Sequence, residues 1–216
     1  MIKTFHVYKD YGARNALEDV NISIGQGEFV FACGPSGAGK TTLLRLLYLG
    51  ERPTRGDILI NGVNLHRVKR KKLPFFRRKI GVVFQDFKLI RTQTVFQNLA
   101  LPLEVSGHKK NHIRQKVCHV LRVIGLENRM NSFPASLSGG EQQRIAIARA
   151  VVHDPLILLA DEPTGNLDDR SAEIVLDLLN ELNLKGTTVL LATHDRELVS
   201  RSGNQVIFLN NGRTKD

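Results

Sequence analysis

Gly34-Pro35-Ser36-Gly37-Ala38-Gly39-Lys40-Thr41 fits G-x-x-x-x-G-K-[ST] at every defined position. An apolar run, residues 28–33, precedes it, and a helix-forming stretch, residues 40–48, follows it. The order has a physical reason. Glycines let the backbone curl until several N–H groups point inward at phosphate oxygens, and the helix N-terminus adds its partial positive charge. Lys40 reaches the β- and γ-phosphates, and the Thr41 hydroxyl can ligate Mg²⁺. Residues 34–41, with the adjoining Thr42, are therefore expected to bind a nucleoside triphosphate.

Around this loop the chain alternates strand and helix patterns. Upstream, residues 2–8, 20–24 and 28–33 carry β-branched and aromatic residues typical of strands, with Gly25-Gln26-Gly27 as a tight turn. Residues 57–60 form a strand that ends at Asn61-Gly62, and residues 80–84 read as a buried strand. From Asp86 to Ser136 the texture becomes helical, over residues 94–103 and 113–124, with Pro102, Gly107 and Pro134 as breaks. The rhythm then resumes as helix 139–152, strand 157–161, helix 171–183, strand 188–192, helix 197–201 and strand 205–209. The fold expected is α/β: a P-loop NTPase core with a mainly parallel sheet, an N-terminal antiparallel part and a helical subdomain inserted at about 86–136. Residues 1–216 form one domain on this reading.

Leu156-Ile157-Leu158-Leu159-Ala160-Asp161-Glu162 is a buried strand ending in two acids. Ligands of parallel sheets bind outside the carboxyl ends of strands, so both acids should emerge beside the phosphate loop. Asp161 is placed to hold Mg²⁺ and Glu162 to act as general base on an attacking water. Further along, Leu137-Ser138-Gly139-Gly140-Glu141-Gln142 supports two readings. Ser138-x-x-Glu141 is a capping box, and the helix tip it opens, free of bulky residues, is also a second anion site.

L-S-G-G-E-Q between a phosphate loop and strand-end carboxylates resembles the signature of ABC ATPases, and the resemblance runs over essentially the whole chain. It implies that Tyr11 stacks on adenine, with Tyr8 a core residue open to confusion with it. It also implies that Gln85 touches Mg²⁺, that Gly165-Asn166-Leu167-Asp168 crosses a dimer interface, and that His194 contacts the γ-phosphate in catalysis. Ser138, Gly139, Gly140 and Glu141 would meet the nucleotide of a second copy, giving a head-to-tail homodimer with ATP between the two. Four features resemble the cell-division branch of the family: residues 5–11, residues 73–81, Phe84-Gln85-Asp86 with Leu89, and the compact end after Asn211-Gly212. That resemblance implies an integral membrane partner of FtsX type and association with the divisome, and on that reading no solute need be transported. The alternative within the family is an ATPase serving lipoprotein release or macrolide-type export.

Composition is compatible with this. With 42% hydrophobic and 24% charged residues the chain has material for an ample core, and no apolar stretch approaches the roughly 20 residues that cross a bilayer. Residues 1–4 lack a signal-peptide pattern, so the chain is expected in the cytosol, and the resemblance implies the cytoplasmic side of the inner membrane, held there peripherally. Cys33 and Cys118, far apart, read as small buried hydrophobes rather than metal ligands. Part of the net charge of +10 is concentrated between Arg67 and Lys79. Such a run is a solvated face, or it is drawn to a membrane surface, an acidic partner segment or nucleic acid, and charge does not choose among these. No nucleic acid is expected, because the coiled-coil or zinc insertions of DNA-repair and ribosome-associated ABC ATPases are missing.

Overall fold

The computed structural model describes residues 1–12 and 14–215. Its centre is a sheet of six strands among the described residues. The strands are β4 (Phe29–Cys33), β7 (Ile80–Val83), β8 (Ile157–Asp161), β9 (Thr188–Thr193), β10 (Gln205–Asn210) and β11 (Arg213–Lys215), in the order β11-β10-β4-β9-β8-β7. All neighbours are parallel except β10 and β11. Every residue of β4, β8 and β9 is buried, as expected for apolar strands covered on both faces. Register pairs Cys33 with Thr193 and Asp161 with Ala192. The segments that follow these strands therefore leave the sheet together.

A second, antiparallel sheet is built from β1 (Ile2–Tyr11), β2 (Arg14–Val20), β3 (Ser23–Ile24), β5 (Arg55–Ile60) and β6 (Val63–Asn64). Helix α1 (Lys40–Leu47) buries Leu43, Leu44, Leu46 and Leu47 in a core fed by both sheets. A second core lies on the other face of the parallel sheet, where α6 (Asp169–Leu184) contributes Val175 and Leu179, and α7 (Arg196–Ser202) contributes Val199.

The third core belongs to the helical region: α3 (Val95–Val105), α4 (Lys110–Val123) and one side of α5 (Gly139–Val151). Ile145 and Ala148 of α5 enter this third core, whereas Ile147 and Ala150 enter the second. Helix α5 thus joins the inserted helices to the sheet.

Several local expectations change. The strand expected at 20–24 is divided: Asp19 takes a left-handed φ of 52° at a bulged β1/β2 pairing, and the chain resumes as β3. Tyr8 is half-buried with the Arg55 guanidinium 4.3 Å above its ring, so it is not a core residue. Pro102 does not break its helix. It lies inside α3, which continues for three residues before Gly107, at φ 82°, ends the turn. Cys33 is buried, but Cys118 is only half-buried. The basic run is also structured. It contains two single-turn 3₁₀ segments and the short helix α2 (Leu73–Arg77). Two of its arginines are internal fasteners: Arg77 donates to Tyr48 O and Leu49 O (3.2 and 2.7 Å) at the end of α1, and Arg78 to Val105 O (2.6 Å) at the end of α3.

Candidate active site

The phosphate loop is fastened by neighbours on all sides. Gly34 N donates to Thr193 O, Gly212 N donates to Ala38 O, and α1 begins at Lys40. Glycine is required at two of its positions for identifiable reasons. A Cβ on Gly34 would lie 2.1 Å from Leu209 O, and Gly39 combines φ 104° with a Cβ path only 2.6 Å from Ala16 O. Together these residues form a cleft of about 470 Å³ bordered by residues 36–42, Tyr11, Gln85, Glu162 and His194.

Lys40 is buried, its Nζ donating to Gly34 O (2.7 Å) and Pro35 O (3.2 Å) and standing 3.4 Å from Glu162 Oε1. His194 Nδ1 lies 3.0 Å from the same carboxylate oxygen, and the His194 backbone N–H donates to Glu162 Oε2 at 3.4 Å. Glu162 has φ 46°, a left-handed conformation unusual for a residue with a side chain, and its N–H donates to Ala192 O. Strand β8 thus ends in a reversal that leaves the carboxylate between Lys40 and His194. Such outliers gather where geometry serves chemistry, and nothing in the order of residues announced this one.

Asp161 accepts from Thr41 Oγ1 at 3.2 Å and is buried. Desolvation raises its pKa above the ordinary carboxylate value, against the lowering influence of the Thr41 hydrogen bond and the Lys40 charge. A hydroxyl and a desolvated carboxylate side by side are the hard oxygen donors that Mg²⁺ prefers, and Gln85 borders both this pocket and the phosphate cleft. The donor set fits the ion.

The raised pKa has a consequence for stability. The folded chain keeps the Asp161 proton to higher pH than the unfolded chain, so stability falls as pH rises from the ordinary value of 3.8 through the raised one. At pH 7, Asp161→Asn should raise the melting temperature of nucleotide-free protein by a few degrees, at about 2–4 °C per kcal/mol. The advantage should vanish in acid below the ordinary carboxylate range. A melting series across pH checks this, and a variant that melts lower than wild type at pH 7 would contradict it.

Tyr11 is 45% exposed and borders the cleft, while its hydroxyl donates to Glu51. Burial raises its pKa, and the neighbouring Glu51 carboxylate adds to the effect. The Ser138–Glu141 segment is a complete capping box: Glu141 N donates to Ser138 Oγ (3.2 Å) and Ser138 N to Glu141 Oε2 (2.8 Å). The Ser138 N–H and the Arg129 guanidinium 3.1 Å away hold the Glu141 carboxyl below its usual range. The capping reading holds, and the cap leaves Ser138 and Gly139 exposed. None of residues 138–141 borders the phosphate-loop cleft of its own chain. Gly139 instead lines a separate cavity with Gln85, Asp86 and Asn166.

Two site-supporting residues escaped sequence reasoning. Arg149, on α5, donates to Lys88 O (2.7 Å) and Phe87 O (3.0 Å), the two left-handed residues that follow Gln85-Asp86. Asn98, fully buried on α3, accepts from Ile90 N and donates to the carbonyls of Ile90, Gln93 and Thr94. Desolvation lowers the Arg149 pKa, and no acid is paired with it among the described residues. Two backbone carbonyls and the Asn98 amide oxygen (3.4 Å) hold this charge, so the segment after Gln85 is fastened to the helix whose tip is Ser138. Arg149→Met should lower the melting temperature, because it strands the part-buried Phe87 carbonyl at about 1–3 kcal/mol and removes the bond to Lys88 O. It should also speed amide exchange selectively over residues 86–90. Unchanged exchange there would remove the fastening role. The signal available in the sequence was an arginine on the apolar side of a helix, Ile145-Ala146-Ile147-Ala148-Arg149-Ala150.

A phosphate loop, an adjacent hydroxyl–carboxylate pair and a clamped glutamate at the edge of a parallel sheet define a P-loop nucleoside triphosphatase. The profile of the ABC transporter family matches residues 17–165. The cell division ATP-binding protein FtsE of Bacillus subtilis (strain 168) is 48% identical over 213 residues, covering 98% of this chain and 93% of that protein. FtsE of Escherichia coli (strain K12) is also 48% identical, with 98% and 96% covered. Among solved structures, the dimeric post-hydrolysis state of the ATP-binding cassette MJ0796 bound to ADP and Pi superposes with a TM-score of 0.92 at 38% identity. That alignment covers 100% of this chain and 97% of the other. The chain belongs to the ABC transporter ATP-binding family and is an ATPase.

Proposed function

We propose that this chain drives a membrane partner in cell division by closing and opening as a head-to-tail homodimer on ATP. One observation carries the reading: the cleft gathers Lys40, Thr41, Glu162 and His194, with Asp161 in the adjoining pocket that shares Thr41 and Gln85, yet the serine-led tip of α5 stands outside it in its own chain. A second copy would bring that tip, Ser138-Gly139-Gly140, onto the phosphates across the interface, where a helix N-terminus stabilises anionic oxygen. That the similar cassette MJ0796 is dimeric supports the pairing of two copies.

Within each site the residues take distinct roles. Tyr11 stacks on adenine, and backbone N–H groups of residues 36–42 cradle phosphate. Lys40 and His194 neutralise charge developing on the γ-phosphate. Glu162, held between them, accepts the proton of the attacking water as general base. Thr41 and Asp161, with Gln85, would hold Mg²⁺, which when bound neutralises phosphate charge. Likeness to the FtsE proteins supports an FtsX-type membrane partner, recruitment to the divisome and a place on the cytoplasmic face of the membrane. No helix among the described residues is long and apolar enough to cross a bilayer, so the spanning element is assigned to the partner.

Complementation tests the dimer. Lys40→Ala and Ser138→Arg should each be inactive alone. Mixed with ATP they should recover activity, because a mixed pair contains one composite site free of both lesions, about a quarter of all sites at equal mixing. Failure to recover would reject the head-to-tail arrangement. Co-purification from solubilised membranes with an FtsX-type protein, rather than an export or lipoprotein-release permease, tests the partner.

A further inference from the structure

A groove of about 540 Å³ lies at the amino ends of β7 and β8, the sheet edge opposite the nucleotide cleft. Its floor includes Ile60, Val68 and Ile157, all buried, and its walls carry three exposed apolar side chains, Val63 (47%), Phe75 (63%) and Leu156 (40%). Arg67, Lys72 and Lys79 stand on the rim, and no carboxylate lines it. Lys69, Arg70 and Lys71, exposed and lying in sequence between Val68 and Lys72, add to the positive charge. Among the described residues, none of these six cations has an ion pair or a side-chain hydrogen bond, in contrast to Arg77 and Arg78 of the same run. The rim is uncompensated charge around apolar surface.

The groove is also built to hold its shape. Arg52 donates to His66 O (3.1 Å) and Val68 O (2.8 Å), fixing the loop that forms one wall. The Arg78 guanidinium lies 5.0 Å from the centre of the Phe75 ring, on the opposite wall. Phe76, behind it, packs against the first core. A preformed surface loses little freedom when it is filled.

We infer that this groove docks an acidic, amphipathic segment of a partner protein, with apolar side chains entering the floor and carboxylates meeting Arg67, Lys72 and Lys79. The charge pattern excludes a basic occupant, and exposed apolar patches rimmed by polar groups mark interaction sites. Recessed floor residues favour a peptide over a bilayer, since a flat lipid surface engages protruding side chains and leaves a concavity unfilled. Because the groove opens away from the nucleotide edge, the segment can stay bound through the ATP cycle.

A library of random dodecapeptides panned against the full chain tests this directly. Enriched sequences should combine Asp or Glu with aromatic or aliphatic residues. Anisotropy of a labelled winner should show binding that weakens ~tenfold or more with Lys72→Glu and with Val63→Asp, and that falls with added salt. Both positions are exposed, and both variants should keep wild-type melting and ATP turnover. Enrichment of sequences without acids, or binding indifferent to both variants, overturns the proposal. Failure to enrich, with phosphatidylglycerol vesicles bound by wild type and released by the same variants, would assign the groove to the membrane surface instead.

Discussion

Glu162→Gln is expected to bind ATP, accumulate as a dimer and lose turnover by ~10²-fold or more, the usual contribution of a positioned general base being ~10²–10⁴. The substitution is nearly isosteric, and the glutamine carbonyl can still accept from the His194 backbone N–H that now reaches Glu162 Oε2. What disappears is a basic oxygen held 3.4 Å from Lys40 and 3.0 Å from His194. Binding and chemistry should therefore separate: affinity for ATP stays or rises, because the closed state is no longer discharged, while phosphate release stops. Phosphate release and size-exclusion chromatography in ATP measure the two properties independently. A variant turning over near the wild-type rate would show that another group takes the proton.

Lys40→Ala should fail one step earlier, at binding. The ammonium is buried among phosphate-loop carbonyls, where a charge-assisted contact is strong and its loss exposes uncompensated phosphate. Truncating one partner of a buried charged pair costs about 2–5 kcal/mol, or roughly 30- to several-thousand-fold in affinity. Titration with a fluorescent ATP analogue measures the loss, and a melting curve shows whether the loop still folds without its lysine. Retention of near-wild-type affinity in a folded variant would displace Lys40 from the phosphates. The two variants together distinguish a defect of capture from a defect of cleavage.

Most of the site's parts were legible because each belongs to one continuous stretch with a local physical meaning. The full G-x-x-x-x-G-K-[ST] pattern between strand and helix points to phosphate binding through a local mechanism, and Ser138-x-x-Glu141 to a helix start. Boundaries were less legible where polar residues make strands. Arg14–Val20, sequence Arg-Asn-Ala-Leu-Glu-Asp-Val, lacks a clean apolar alternation and forms a strand because β1 offers it hydrogen bonds. The proline of α3 misled for a related reason: packing of Leu99 and Leu103 in the third core outweighs one missing backbone hydrogen bond.

The basic run shows the same division in charged residues. Eight cations between Arg67 and Lys79 look alike in one dimension. Folding turns Arg77 and Arg78 inward onto the ends of α1 and α3 and leaves Arg67, Lys72 and Lys79 around an apolar groove. Arg149 underwent the converse, an unremarked helix residue whose guanidinium closes the turn after Gln85.

Local chemistry, then, is written along the chain: which atoms can meet phosphate, which acids end a strand, where helices begin. Distances between remote segments are not, because they depend on the register of parallel strands and on side chains chosen by packing. That is why the left-handed turn at Glu162, its clamp between Lys40 and His194, and the exclusion of the Ser138 tip from its own cleft became visible only once β4, β8 and β9 were aligned.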